Sequence, residues 1–145
     1  MKNIKHIWTV LCSNSSIDQS TNNVSLFNVI EQITLGLKPN VKINYEEEKG
    51  IPINMELVTL WQRLGDLTSF EQSVEIVDPK GKVLSQNEIS FEFPNKVSRS
   101  RVGFKLVGLK VTGAGEYIFR VLVKEKGKSK FEQVQEIPLD VRMEK

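Results

Sequence analysis

Apolar and polar residues take turns over short runs along most of the chain, the two-residue period of a half-buried β-strand. Ser90 and Glu92 separate Ile89, Phe91 and Phe93. Val102, Phe104 and Leu106 alternate with Arg101, Gly103 and Lys105. Tyr117, Phe119, Val121 and Val123 share one parity, and so do Ile137, Leu139 and Val141. Each pattern puts one face in a core and the other in water.

Turn residues punctuate these runs. Asp78-Pro79-Lys80-Gly81 reads as a β-turn, because proline presets φ and glycine tolerates positive φ. It predicts a hairpin between residues 70–77 and 82–84. Lys126-Gly127-Lys128-Ser129 predicts a second, joining residues 116–125 to 130–141. Pro138 has no N–H for a ladder and belongs at an edge or bulge.

The first third is less regular. Residues 4–13 read as a strand and 15–23 as a polar loop. Residues 24–37 fit two templates. Leu26, Ile30, Ile33 and Leu37 make a helical stripe that Ser25 would cap; Phe27, Val29, Ile33, Leu35 and Leu37 make a strand face broken by Glu31. The β-branched content favours the strand. Residues 38–52 are polar, with Glu46-Glu47-Glu48 and two prolines, and read as connection. Residues 53–64 follow as a strand with Met55, Leu57, Thr59 and Trp61 on one face.

Seven to nine strands without βαβ alternation predict an all-β fold, an antiparallel β-sandwich, with a barrel as the alternative. A length of 145 residues fits one domain spanning 1–145 that buries its core without staples. Cys12 is the lone cysteine, which excludes an intrachain disulfide and fits a reducing compartment, hence the cytoplasm. The apolar run at residues 7–11 is too short for a signal peptide, and no run approaches a membrane span.

The segment 109–121, a glycine turn (Gly113-Ala114-Gly115) leading into Tyr117-Ile118-Phe119-Arg120-Val121, resembles the late strand of immunoglobulin-like sandwiches. That resemblance implies that Tyr117 is a corner residue, its hydroxyl bonded back to the backbone. Leu11-Cys12-Ser13, the stretch from Asp18 to Ile33 and Ile137-Pro138-Leu139-Asp140-Val141 are similar to a family of small bacterial proteins of unknown function. The resemblance covers most of the chain and implies a bacterial cytoplasmic setting, with no site residues to carry over.

Catalytic chemistry finds little footing. His6, the only histidine, lies in the first strand pattern beside Trp8 and reads as an exposed or edge residue. Cys12 shares its parity, so in an extended strand the two side chains stand about 20 Å apart and form no dyad. One Cys and one His cannot make a Cys/His zinc site, the aspartates lack the D-x-D spacing of calcium loops, and the glycines match no phosphate loop. Glu46, Glu47 and Glu48 read as a solvated loop. No cofactor, metal ligand or catalytic residue is expected.

Basic clusters are the most positive feature. Lys96, Arg99, Arg101 and Lys105 form the candidate anion-binding set, the last three at one strand parity. Lys124, Lys126, Lys128 and Lys130 form a second cluster at a hairpin tip. Such stripes can track phosphates, yet lysines also guard sheet edges. Stacking aromatics would strengthen a nucleic-acid reading, but Phe91, Phe93, Phe104 and Phe131 fall on faces assigned to the core. The expectation is a non-enzymatic domain that binds another protein, or a second copy of itself, through a sheet face, an edge or the loops 13–23 and 38–50. The alternative is a nucleic-acid or anionic-surface binder using the basic strand face.

Overall fold

The computed structural model describes residues 3–36 and 51–144. They contain nine strands and no helix: β1 (Ile4–Ile17), β2 (Val24–Val29), β3 (Gln32–Gly36), β4 (Met55–Arg63), β5 (Ser69–Val77), β6 (Val83–Glu92), β7 (Arg99–Leu106), β8 (Gly115–Glu125) and β9 (Glu132–Glu144). Sheet A has the order β2-β1-β4-β7 and sheet B the order β3-β9-β8-β5-β6. The inward rows of both sheets form one core. Trp61, Leu57 and Leu11 come from sheet A; Phe70, Val74, Tyr117, Phe119 and Leu139 come from sheet B. This is an all-β sandwich. With β1-β4-β7 in one sheet and β9-β8-β5-β6 in the other, the strand order follows the immunoglobulin arrangement.

Both predicted hairpins form, as β5–β6 and β8–β9. Pro138 pairs with Ile118 on its β8 side, while the β3 ladder begins only at Asp140. Its missing N–H therefore deprives no second neighbour.

Four expectations need correction. Residues 24–36 are neither a helix nor one strand, and Leu37 lies outside the described residues. Ile30 and Glu31 carry the chain from β2 in sheet A to β3 in sheet B; the Ile30 N–H still donates to Leu11 (2.8 Å) while the Glu31 carbonyl accepts from Asp140 N–H (3.1 Å). Phe27 and Val29 are consequently exposed, whereas Ile33 and Leu35 pack against the core. Secondly, β3 pairs with β9 in parallel, so the sandwich is antiparallel except at this edge. Thirdly, β1 runs through residues expected in a loop, as far as Ile17. Fourthly, Ile89 is exposed although it alternates with Phe91 and Phe93, because β6 is a sheet edge.

His6 also departs from expectation. A register shift between His6 and Trp8 inverts the parity of β1 beyond it. His6 therefore shares the inner side with Thr9, half-buried, its ring edge-on to Trp61 at 5.5 Å. Trp8 and Cys12 take the other parity. Cys12 is buried and free, and burial pushes its thiol pKa up, with the Glu56 carboxylate adding to the effect.

At one end of the sandwich the Tyr117 hydroxyl donates to the Gly113 carbonyl (2.7 Å) and accepts from the N–H groups of Thr112 (2.8 Å) and Gly113 (3.2 Å). The Thr112 hydroxyl continues to Asp78 (2.9 Å), whose other oxygen accepts from the N–H groups of Lys80 and Lys82. Burial pushes the Asp78 pKa up, but these donors, Lys82 N–H foremost, outweigh it and hold the carboxyl below its ordinary value. The β5–β6 turn and the approach to β8 are thereby tied together.

Candidate functional site

The outer face of sheet A carries the candidate site. Register places its rows. Trp8 faces Leu60, which faces Arg101; Lys5 faces Gln62, which faces Arg99; Val10 faces Val58, which faces Gly103. Residues directly opposite in a ladder share a face, so an apolar strip of Trp8, Val10, Val58 and Leu60 runs beside the cations of β7. At one end the strip opens into a groove of about 820 Å³. Trp8 and Leu60 contribute its apolar lining, with Ile17 and residues 21–24 on the β1–β2 side and Pro94, Val97 and Arg99–Arg101 on the β7 side.

The β1–β2 wall is fastened. Asp18 Oδ1 accepts from the Ser20 hydroxyl (2.6 Å) and from the N–H groups of Ser20 (2.8 Å) and Thr21 (3.2 Å). These bonds, the Ser20 hydroxyl first, hold its carboxyl below the usual range. Asn22 takes positive φ, which asparagine tolerates. The Arg101 guanidinium crosses the groove and donates to the Asn22 carbonyl (2.9 Å) and side-chain oxygen (3.1 Å). The two walls are therefore set before anything enters.

The four candidate anion-binding residues separate on inspection. Arg99, Arg101 and Lys105 lie on the outer face of β7, but Arg101 is engaged with Asn22 and Lys105 stands opposite Glu56. Lys96 sits in the preceding loop at positive φ. Arg99 has no ion-pair partner among the described residues. The second basic cluster is partly neutralised: Lys124 pairs with Glu71 (3.1 Å) and Lys128 with Glu125 (3.6 Å). Phe131, expected in the core, instead lies half-buried beneath the Lys124 ammonium at 4.8 Å. Of the loops expected to make contacts, 18–23 becomes a groove wall; residues 38–50, with Glu46, Glu47 and Glu48, lie outside the described residues.

Sequence reasoning missed Trp8 as part of the groove, since only the bulge after His6 reveals its direction. It also missed an internal chain of polar groups. Trp61 Nε1 donates to Gln72 Oε1 (2.9 Å), Gln72 Nε2 donates to Thr59 Oγ1 (3.2 Å), and Thr59 lies 3.1 Å from Thr9, itself 2.6 Å from His6 Nε2. Among the described residues no three His, Cys, Asp or Glu side chains gather to hold a metal ion, and no helix is long and apolar enough to cross a membrane.

Comparison with known proteins adds the fold. No protein-family model matches the chain, and no curated protein does. Among solved structures the chain is similar to the C-terminal domain of Wzt, with 13% identity and a TM-score of 0.55, covering 97% of this chain and 74% of that one. At that identity the likeness shows the sandwich and nothing of the activity. An immunoglobulin-like protein from Pseudomonas aeruginosa matches over 94% of this chain and 98% of its own, at 12% identity; its TM-score of 0.39 is too loose to carry an argument.

Proposed function

We infer that the chain is a non-enzymatic interaction domain which takes a segment of a protein partner into the outer groove of sheet A. The observation that carries this reading is the Arg101–Asn22 bridge. It braces both walls of a groove lined by Trp8 and Leu60, and a preformed apolar recess with a few fixed polar groups loses little ordering entropy on binding. Tryptophan and arginine are also the residues that most often dominate contact energy. The reading sets the protein in a bacterial cytoplasm, where a lone thiol such as Cys12 stays reduced.

The test is capture of partners from a lysate on the tagged protein, comparing wild type with Trp8→Ala and Arg99→Glu, at low and high salt. A defined protein held at high salt by wild type and lost by both variants is the expected result. An identical capture profile for all three would overturn the reading.

A nucleic-acid or anionic-surface role has one supporting observation, the outward direction of Arg99, Arg101 and Lys105 along β7. It has less behind it, because Arg101 is already bonded to Asn22, Lys105 stands opposite the Glu56 carboxylate, and among the described residues Trp8 is the one aromatic lining the groove. Captured nucleic acid that disappears with rising salt would favour it.

A further inference from the structure

The turn after β4 is an unusual surface. Leu64 is 51% exposed and Leu67 43% exposed, and Asp66 stands between them. Isolated exposed leucines are ordinary, but two of them flanking a carboxylate make a compact acidic, apolar tip. Asp66, like Arg99, has no ion-pair partner among the described residues.

The groove has the complementary character. Trp8, Leu60 and Val97 line it with apolar surface, and Arg99 stands at its rim with an uncompensated charge. Tip and groove also lie at the same end of sheet A. Leu60 is in the groove and β4 ends three residues later at Arg63. Arg63 N–H donates to the Ser98 carbonyl (2.7 Å), just before Arg99, and Leu64 N–H donates to the Asn3 carbonyl (3.0 Å). The start of the tip is thus pinned beside the entry to β7.

We propose that the occupant of the groove is the Leu64–Leu67 tip of a second copy of this chain, the two copies exchanging tips about a two-fold axis. The proposal rests on the reading of the groove as a contact surface and names its partner. Two features that are complementary and adjacent on one molecule allow a reciprocal, closed pairing: each tip enters the other copy's groove, and no unsatisfied end remains to recruit a third. Leu64 and Leu67 meet Trp8 and Leu60, and Asp66 meets Arg99. The opposite charges fix register and disfavour other orientations.

Sedimentation velocity of the full chain tests it, run from low to high micromolar concentration on samples whose circular dichroism shows an intact fold. Wild type is expected to dimerise. Asp66→Arg, Arg99→Asp and the uncharged probe Leu67→Ser are each expected to weaken the dimer by about tenfold or more. Combining Asp66→Arg with Arg99→Asp is expected to regain it, because the reversed charges again meet across the axis. A wild-type monomer throughout, or single variants that dimerise like wild type, would overturn the proposal, as would a double variant that stays monomeric. Lysate capture separates this from the broader reading. If wild type is monomeric and Arg99→Glu still abolishes capture while Asp66→Arg leaves it intact, the second-copy proposal falls and the interaction groove stands.

Discussion

Thr9 carries its hydroxyl 2.6 Å from Nε2 of His6, on the inner side of β1. That bond ends a chain of polar groups whose far end has a fixed direction. An indole N–H only donates, so Gln72 presents its oxygen to Trp61 and its NH₂ to Thr59. The order that leaves every donor of the chain used has Thr59 donating to Thr9 and Thr9 donating to His6 Nε2, with the ring proton on Nδ1. Protonating Nε2 would make His6 the donor, and the Thr9 oxygen has lone pairs for both His6 and Thr59.

Burial holds the His6 pKa below its ordinary value. The folded protein therefore takes up this proton at lower pH than the unfolded chain. The contribution is complete above about pH 6.5 and is lost as the pH falls through the folded-state value. Denaturant midpoints at mildly alkaline and mildly acidic pH are expected to fall with acidification in wild type. In His6→Gln, which cannot titrate, the slope over that interval should be smaller.

Tyr117→Phe removes a hydroxyl that serves three backbone groups and leaves the Gly113 carbonyl and Thr112 N–H without it. A loss of about 1–3 kcal/mol is expected from urea unfolding. Asp78→Ala cuts the same tie from the other side, with a similar loss at neutral pH. Because Asp78 is held below its ordinary pKa, its contribution is present above about pH 4 and fades as pH falls through the folded-state value. Wild type and Asp78→Ala should therefore converge in stability toward strong acid.

Of the described glycines, Gly115 is the one least able to accept a side chain. Its φ is +140°, and a Cβ would lie 2.8 Å from Pro79 Cγ and 2.9 Å from Pro79 Cβ. Gly115→Ala is expected to cost about 1–3 kcal/mol from backbone strain, with the clash in addition. Gly36→Ala meets nothing within 4 Å and serves as the near-neutral comparison. Equal melting temperatures for the two variants would refute this account of the corner.

Arg101→Ala should leave the core intact, since its guanidinium bonds to Asn22 on the outer face. What it removes is the brace on residues 18–23. Hydrogen exchange at Asn22 N–H, which donates to the Asp18 carbonyl (2.7 Å), is expected to quicken, while exchange within β8 stays unchanged.

How far the chain could be read follows from what a two-residue period encodes. It encodes which face is buried, and so β8, β9 and the β5–β6 hairpin were legible, as was the outward alignment of Arg99, Arg101 and Lys105. It is blind to strand direction, which hid the parallel pairing of β3. A single inserted residue inverts everything after it, which is why the bulge after His6 turned a residue read as exposed toward the core and hid Trp8's place in the groove. Edge strands defeat the pattern too, because only one neighbour covers them; Ile89 looks like core and is not. Periodicity placed Thr59 on the face of Met55, Leu57 and Trp61, but nothing in the sequence joined it to Gln72 and Thr9, since a buried polar group is recognisable only by its partner.

The ladder between β3 and β9 joins Gln32 to Asp140, nearly the whole described chain apart. A contact so distant in sequence must absorb the entropy of closing a very long loop before it returns any stabilisation. The β5–β6 and β8–β9 hairpins have no such obstacle, and β5 meets β8 across a shorter loop than the one that β3 and β9 close. In any state in which β3 has not docked, residues 140–144 are the unpaired border of sheet B, open to any extended strand that arrives first. The short parallel strand is on this view a cover for that border, and the moment before it docks is when the chain is most exposed to pairing with the wrong molecule.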